Sequence, residues 1–113
     1  MPALHRQIQT QTIAIANGAQ TSTNAVDGRG FAAFGLELPA AFTGTSLTFK
    51  TCSTAGGTFQ DLYNSAGVLV SIPIVANSRN FYAPDELSPW PYWKIVSGSA
   101  EGGARSITVT GKG

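Results

Sequence analysis

The chain has 113 residues, a length typical of a single domain. Hydrophobic residues make up 42% of it and charged residues only 12%, which excludes a disordered chain, because disorder requires more charge and fewer large apolar side chains. The formal net charge is +1 and the seven basic residues are scattered, so no basic stripe indicates a nucleic-acid partner. We therefore expect one globular domain that binds no nucleic acid.

Two features bear on where the protein is made. Cys52 is the only cysteine, so the chain can form no internal disulfide, and a free thiol is typical of the reducing cytoplasm. No signal-peptide core follows Met1, and the longest apolar stretch, residues 68–76, is interrupted by Ser71 and Pro73. That stretch is too short to span a bilayer. We expect synthesis in the cytoplasm and no membrane partner.

Residues 1–16 form the first segment, and its apolar side chains change parity along the chain. Ile8 lies on one parity, whereas Ile13 and Ile15 lie on the other. This pattern predicts either an edge strand with a bulge near Thr12 or an N-terminal arm that stands outside the domain. An arm of this kind would be free to lie across a neighbouring subunit as an additional strand.

Several runs within residues 17–113 alternate apolar with small or polar side chains, and no segment of 11 or more residues keeps apolar side chains at helical spacing. A period of two is typical of strands with one packed and one solvated face. The apolar positions that share a face are Ala32, Phe34, Leu36 and Leu38; Leu47 and Phe49; Val68, Val70, Ile72 and Ile74; and Ile107 and Val109. Cys52 has the parity of Lys50, which leaves open whether it is exposed or buried by a local twist.

Turn signals divide these strands. Asn17-Gly18 and Asp27-Gly28 offer the positive φ of tight turns, and the glycine-containing segments 55–57 and 65–67 predict a meander of three antiparallel strands. A total of about seven or eight strands predicts an all-β fold for residues 17–113. The expected architecture is a two-layer antiparallel β-sandwich of jelly-roll type.

The residues that carry acid–base chemistry are few and poorly placed for catalysis. His5, the only histidine, falls in the N-terminal segment, which cannot hold a general base in position. Nothing in the sequence around the carboxylates predicts a raised pKa, and we expect all six in turns or on solvent-facing strand positions. These are Asp27, Glu37, Asp61, Asp85, Glu86 and Glu101. We therefore predict that the protein is not an enzyme.

Metal and cofactor sites are equally hard to find in the sequence. One cysteine and one histidine cannot build a zinc site, which requires several such ligands. Asp61, Asn64 and Ser65 do not have the alternating spacing of a calcium loop. The glycines of segment 98–103 are not followed by the Lys-Ser/Thr of a phosphate-binding loop. We predict no metal and no cofactor.

Both tryptophans and two of the three tyrosines fall in the proline-rich segment 81–94. Trp93 alternates with Ile95, which predicts a place in the core. Trp90 lies between two prolines that hold it in extended backbone, so its ring can be presented outward at low entropic cost. This segment indicates either a protein interface that includes Trp90 and Tyr92 or a carbohydrate platform of Tyr82, Trp90 and Tyr92, and we favour the protein interface.

Three stretches of the chain resemble a group of small proteins of tailed bacteriophages. They are GLELPAAFTGTSLTFKTCSTAGGTFQDLYNSAG at residues 35–67, YWKIVSG at residues 92–98 and RSITVTGK at residues 105–112. Taken together, the resemblance spans residues 31–112. It implies a virion-associated β-sandwich, with head decoration, cement or fibre roles as the typical functions.

On this basis we predict a capsid decoration or cement protein that binds the coat lattice and stabilises the phage head. The expected partners are the major capsid protein and neighbouring copies of the chain in a homo-oligomer, for which a trimer would suit local three-fold positions. The expected location is the capsid surface of the virion. Candidate interface residues are Leu4, His5, Arg6, Ile8, Ile13, Trp90 and Tyr92. The alternative is a carbohydrate- or host-surface-binding module of a tail or fibre.

Overall fold

The computed structural model describes residues 8–29, 31, 33–80, 85–87 and 89–112. Regular structure within these residues consists of β-strands and a single 3-10 turn at Asp85–Leu87. The strands are β1 (Ile8–Ile15), β2 (Val26–Asp27), β3 (Ala33–Glu37), β4 (Ser46–Cys52), β5 (Gln60–Asp61), β6 (Ser71–Pro73), β7 (Arg79–Asn80), β8 (Tyr92–Ser97) and β9 (Arg105–Lys112). No helix in the described part of the chain is long and apolar enough to cross a membrane.

The strands form two antiparallel sheets with the strand order of a jelly roll. The first sheet has the order β1-β9-β3-β7, and the second has the order β2-β8-β4-β5, with β6 also paired to β4. Successive strands alternate between the two sheets except at β4, β5 and β6. This alternation is produced by Greek-key connections and is typical of jelly rolls. The prediction of an all-β, two-layer antiparallel sandwich of jelly-roll type is confirmed.

The core lies between the two sheets and is centred on Trp93, which is 0% exposed. Its ring meets Phe34 of the first sheet edge-on, with ring centroids 5.2 Å apart, and Phe49 of the second sheet at 5.8 Å. Edge-to-face pairs of this kind add to the free energy gained by burying the rings. The prediction that Trp93 lies in the core is confirmed.

The predicted three-strand meander after β4 is wrong. Residues 60–73 run once along one edge of β4, with β5 paired to its end and β6 to its beginning. Between β5 and β6 the chain leaves this edge in a hairpin, residues 63–69, in which Tyr63 pairs with Leu69. Val68 therefore lies in the hairpin and is 59% exposed, although its parity predicted an inner face.

β1 pairs with β9 over all eight residues without a bulge. Its second half belongs to the core, since Ile13 is 1% exposed and Ile15 is 0% exposed. The proposal that Ile13 contributes to an interface is therefore wrong, because its side chain packs inside the sandwich. The predicted interface residues Leu4, His5 and Arg6 lie outside the described residues.

Candidate functional site

Part of the outer edge of β1 is covered by Asn24. The amide of Asn24 accepts a hydrogen bond from Ala14 N at 2.9 Å and donates one to Thr12 O at 2.9 Å. Thr23 N donates to Ala14 O at 2.8 Å. The Asn24 side chain thus takes the place of a neighbouring strand and satisfies backbone groups that would otherwise be open to strand addition.

Gln11 joins the same edge to the second sheet. Its Nε2 donates to Asp27 O at 2.8 Å, and its Oε1 accepts from Asp27 N at 2.9 Å. Since Gln11 lies on β1 and Asp27 on β2, this amide closes one side of the sandwich. Neither Gln11 nor Asn24 was singled out from the sequence, because a polar residue in a strand or loop shows no pattern that reveals its distant partner.

The beginning of β1 leaves an open edge. Thr12 and Ala14 direct backbone groups away from β9, and in a regular antiparallel ladder every second residue does the same. Ile8 and Thr10 therefore also direct their N–H and C=O groups outward, and no described residue bonds them. The side chain of Ile8 is 62% exposed. We call this stretch, residues 8–10, the open edge.

The aromatic segment supplies a second exposed feature, Trp90, which is 38% exposed. Its backbone N donates to Leu87 O at 3.0 Å, and Leu87 is buried. On the other side, Pro91 O accepts from Gly28 N at 2.8 Å. These anchors fix the backbone around Trp90 and leave its side chain at the surface.

Trp90 lines a pocket of about 290 Å³ together with Tyr63, which is 54% exposed. Polar side chains, including those of Gln60 and Asp61, complete much of the lining. Tyr63 was not recognised from the sequence, because its exposure follows from the hairpin that interrupts the edge of β4. The only sequence signal for an exposed Tyr63 was the position of this strand-forming residue close to the Ser65-Ala66-Gly67 turn.

Tyr92 does not join Trp90 in this pocket. It faces outward from the second sheet and is partly exposed, and the guanidinium carbon of Arg29 lies 5.3 Å from its ring centroid. Arg29 also donates two side-chain hydrogen bonds to Asp27, which lower the pKa of that carboxyl. Tyr82, the third member of the predicted carbohydrate platform, lies outside the described residues.

Glu101 corrects the expectation that every carboxylate occupies a turn or outer face. Its side chain is fully buried, and four donors converge on it. Thr43 N and Gly44 N donate at 2.8 and 3.0 Å, Ser97 Oγ at 2.8 Å and Arg105 Nε at 3.0 Å. The loop before β4 is thereby tied to the β8–β9 connection.

We call Glu101 and its four donors, Thr43, Gly44, Ser97 and Arg105, the Glu101 hub. The backbone of Glu101 also bonds a third loop. Gly18 N donates to Glu101 O at 2.8 Å, and Glu101 N donates to Ala19 O at 3.0 Å. Gly44 has no room for a side chain here, because an added Cβ would lie 2.2 Å from Ser97 Oγ. One acidic residue therefore holds three connections together at one end of the sandwich.

The Glu101 hub makes the folding free energy depend on pH. Burial raises the pKa of Glu101, but the hydrogen bonds from Thr43, Ser97, Gly44 and Arg105 outweigh it and hold the pKa below the ordinary 4.5. The charged form is therefore favoured by folding. Its stabilising effect is fully present above pH 4.5 and is lost as the pH falls through the lowered, folded-state pKa.

We accordingly predict that the difference in free energy of unfolding between the wild type and Glu101→Gln is largest near neutral pH and shrinks in acid. Urea titrations of both proteins at a series of pH values measure this difference. Because Asp27 also has a lowered pKa, the wild type alone cannot assign the effect to Glu101. A difference that stays constant across the acid range would contradict the assignment.

The other described ion pairs lie at the surface. Asp27 pairs with Arg29, Asp61 with Lys50 and Glu37 with Arg79, at distances of 2.7–2.8 Å. Across the described residues, no group of three His, Cys, Asp or Glu side chains comes together to hold a metal. The parity of Cys52 left open whether it is exposed or buried. It is buried, and its Sγ donates to Thr54 O at 3.0 Å.

These features define a jelly-roll sandwich in which four carboxylates, those of Asp27, Glu37, Asp61 and Glu101, form ion pairs with basic side chains. No protein-family model matches the chain, and neither does any curated protein. Among solved structures, the chain is similar to that of the SPBc2 prophage-derived protein YomS, with a TM-score of 0.66. The match covers 100% of this chain and 99% of that chain at 12% sequence identity, so the likeness is one of fold.

Proposed function

We propose that this protein is a structural component of a bacteriophage particle that decorates the head and reinforces the lattice of coat subunits. The prophage origin of the similar structure supports a phage protein, as does the sequence resemblance to small tailed-phage proteins. The arrangement of the carboxylates supports a role without catalysis, because four of the six are held in ion pairs. The proposal includes no cofactor, no nucleic acid and no membrane.

The observation that carries a docking role is the open edge of β1. Its backbone groups can pair with an extended segment of a coat subunit, which would become an additional strand of the first sheet. Ile8 offers an exposed β-branched side chain to such a strand. Asn24 covers the same edge farther along, so strand addition is confined to the first residues of β1.

A contact of this size is weak in isolation. Only a few hydrogen bonds can form along residues 8–10, so permanent attachment requires that many copies engage one lattice together. We therefore include neighbouring copies of the chain among the partners, as a homo-oligomer whose order, such as a trimer, matches the local symmetry of the shell. The proposed location is the outer surface of the capsid, after synthesis in the host cytoplasm.

Two measurements on purified particles test the location. Quantitative mass spectrometry should find the protein in hundreds of copies, and electron microscopy with a specific antibody should label heads. Labelling of tails or fibres alone would overturn the head assignment and favour the host-surface alternative. Absence from particles would overturn the structural role altogether.

A substitution at the open edge tests the docking mode. Thr10→Pro should abolish binding to heads that lack the protein, because it removes an outward N–H. The fold should persist, since that N–H makes no bond to β9. Thr10→Val is the matched control, because it keeps the backbone donor and nearly the same shape. Equal head binding by the two variants in a sedimentation assay would exclude the open edge as the docking site.

A further inference from the structure

We propose that the pocket beside Trp90 binds a single neutral pyranose ring, so that the protein carries a sugar-binding site. This inference goes beyond the proposed structural role and does not depend on it, because the whole pocket belongs to one chain. It differs from the carbohydrate platform predicted from the sequence. The second aromatic side chain is Tyr63, from a different part of the chain, rather than Tyr92.

The two aromatic side chains provide the apolar surface that a sugar ring requires. Trp90 and Tyr63 are 38% and 54% exposed, and both line the same pocket. Neighbouring large aromatic rings that are exposed to solvent indicate a binding site, because covering their apolar faces with a ligand is favourable in free energy. The C–H groups on one face of a pyranose form an apolar patch that fits such a ring, while its hydroxyls remain at the edge.

Backbone hydrogen bonds fix the chain next to both aromatic side chains. Trp90 is anchored through Leu87 and Pro91, as described above. Tyr63 opens a hairpin in which Asn64 Oδ1 accepts hydrogen bonds from Ala66 N and Val68 N at 2.9 and 3.0 Å. Gly67 completes that turn with a φ of 77°. Because these segments are already ordered, little backbone entropy is lost when a ligand binds.

The polar lining matches hydroxyl groups and indicates a neutral ligand. Gln60 and Thr58 supply donors and acceptors, and Asp61 supplies a carboxylate. Lys50 Nζ bonds Asp61 Oδ1 at 2.8 Å, which leaves Oδ2 to accept a hydroxyl and offsets the negative charge. A ligand that carries a net charge would meet no unbalanced charge within this pocket. A neutral hexose fits this arrangement better than an acidic sugar or a phosphate.

The volume limits the ligand to about one ring. At about 290 Å³ the pocket lies just below the range for small-molecule sites, about 300–1,000 Å³. Few contacts can form with so small a ligand, so we expect a dissociation constant in the millimolar range. A larger pocket of about 390 Å³, beside Glu37 and Arg79, has no aromatic side chain among its described lining residues and lacks this apolar complement.

Nuclear magnetic resonance tests the site on the isolated, full-length protein. The chain has two indole N–H signals, from exposed Trp90 and from Trp93, which is 0% exposed. Titration with glucose, galactose, mannose and N-acetylglucosamine should shift the Trp90 signal and leave the Trp93 signal in place. Sialic acid and inorganic phosphate serve as charged probes and should cause no saturable shift. If no neutral sugar shifts Trp90 saturably, or if only the charged probes do, the proposal is overturned.

Substitutions distinguish stacking in the pocket from nonspecific contact. Trp90→Ala and Tyr63→Ala should each weaken binding by about tenfold or more, because each removes one aromatic face. Tyr63→Phe keeps the ring and should retain most of the affinity. Val68→Ala is the matched control, because Val68 is exposed in the same hairpin but does not line the pocket. Binding undiminished in both alanine variants at Trp90 and Tyr63 would overturn the site.

The outcome is separable from that of the particle experiments. The sugar titration uses the isolated protein, whereas head binding uses the open edge and intact capsids. Trp90→Ala should therefore still decorate heads, and Thr10→Pro should still bind sugar. If Trp90→Ala loses head binding while remaining folded by circular dichroism, and no neutral sugar shifts the Trp90 signal of the wild type, the pocket is a protein-docking surface and the sugar proposal is wrong.

Discussion

Replacement of Glu101 by glutamine should lower the free energy of unfolding by about 3–5 kcal/mol, the cost of removing one partner from a buried ion pair. Four donors converge on the two carboxylate oxygens of Glu101. A glutamine offers one acceptor oxygen, and its amide nitrogen would face donors instead of acceptors. The Arg105 guanidinium, whose side chain is only 14% exposed, would also lose its counter-charge. Chemical denaturation at neutral pH measures the loss.

Glu37→Gln is the matched control for this effect. Glu37 also pairs with an arginine, Arg79, at 2.7 Å, but both side chains are well exposed. Pairs of this kind contribute about 0–1 kcal/mol, because water and salt screen the charges. We therefore expect the two substitutions, chemically identical, to differ severalfold in cost. Equal costs would mean that the hub around Glu101 contributes no more than a surface pair.

Truncation of Trp93 to alanine should destabilise the protein by about 3–5 kcal/mol, the usual cost of removing a large aromatic ring from a core. Trp93 is 0% exposed and contacts rings from both sheets, so its loss leaves a cavity between the layers. The two-layer arrangement limits collapse into that cavity, because both sheets are held by their own ladders. Denaturation followed by far-ultraviolet circular dichroism measures the change.

Trp90→Ala provides the comparison, since it removes the same side chain from the surface. Trp90 is 38% exposed against 0% for Trp93, so its truncation uncovers less apolar area and leaves no closed cavity, and it should cost clearly less. The Trp93 indole Nε1 has no hydrogen-bond partner within the described residues. Trp93→Phe should therefore cost less than its loss of volume suggests, because it also removes a buried, unpaired donor. A Trp93→Ala variant as stable as Trp90→Ala would contradict the placement of Trp93 in the core.

Much of the core was predictable because it depends on local periodicity. Phe34, Leu36 and Phe49 alternate with small or polar neighbours, and a strand places alternate side chains on one face whatever its partner. The order in which strands pair was less accessible, since β1 and β9 are adjacent in space but lie at opposite ends of the described chain. Only the total number of strands and their alternation indicated a jelly roll.

The interactions missed from the sequence are those in which an irregular segment meets a distant one. Glu101 lies among glycines and serines, a composition that predicts a solvated loop, and its donors come from residues 43–44 and from neighbouring strands. Gln11, which lies on a strand, was missed because its partner Asp27 is 16 residues away and belongs to the other sheet. The candidate pocket could not be predicted for both of these reasons. Tyr63 lies in an irregular hairpin, and its partner Trp90 is distant in sequence.

The hairpin at residues 63–69 makes this sandwich tolerant of insertions at one place. The chain leaves the edge of β4 at Leu62 and returns at Val70, and Val70 N donates to Leu62 O at 3.0 Å. This hydrogen bond holds the two ends of the hairpin side by side. A hairpin of another length or sequence can therefore start at Leu62 and end at Val70 without disturbing either sheet. The surface presented at this place can thus be changed while the scaffold is kept, and a foreign peptide can be displayed here.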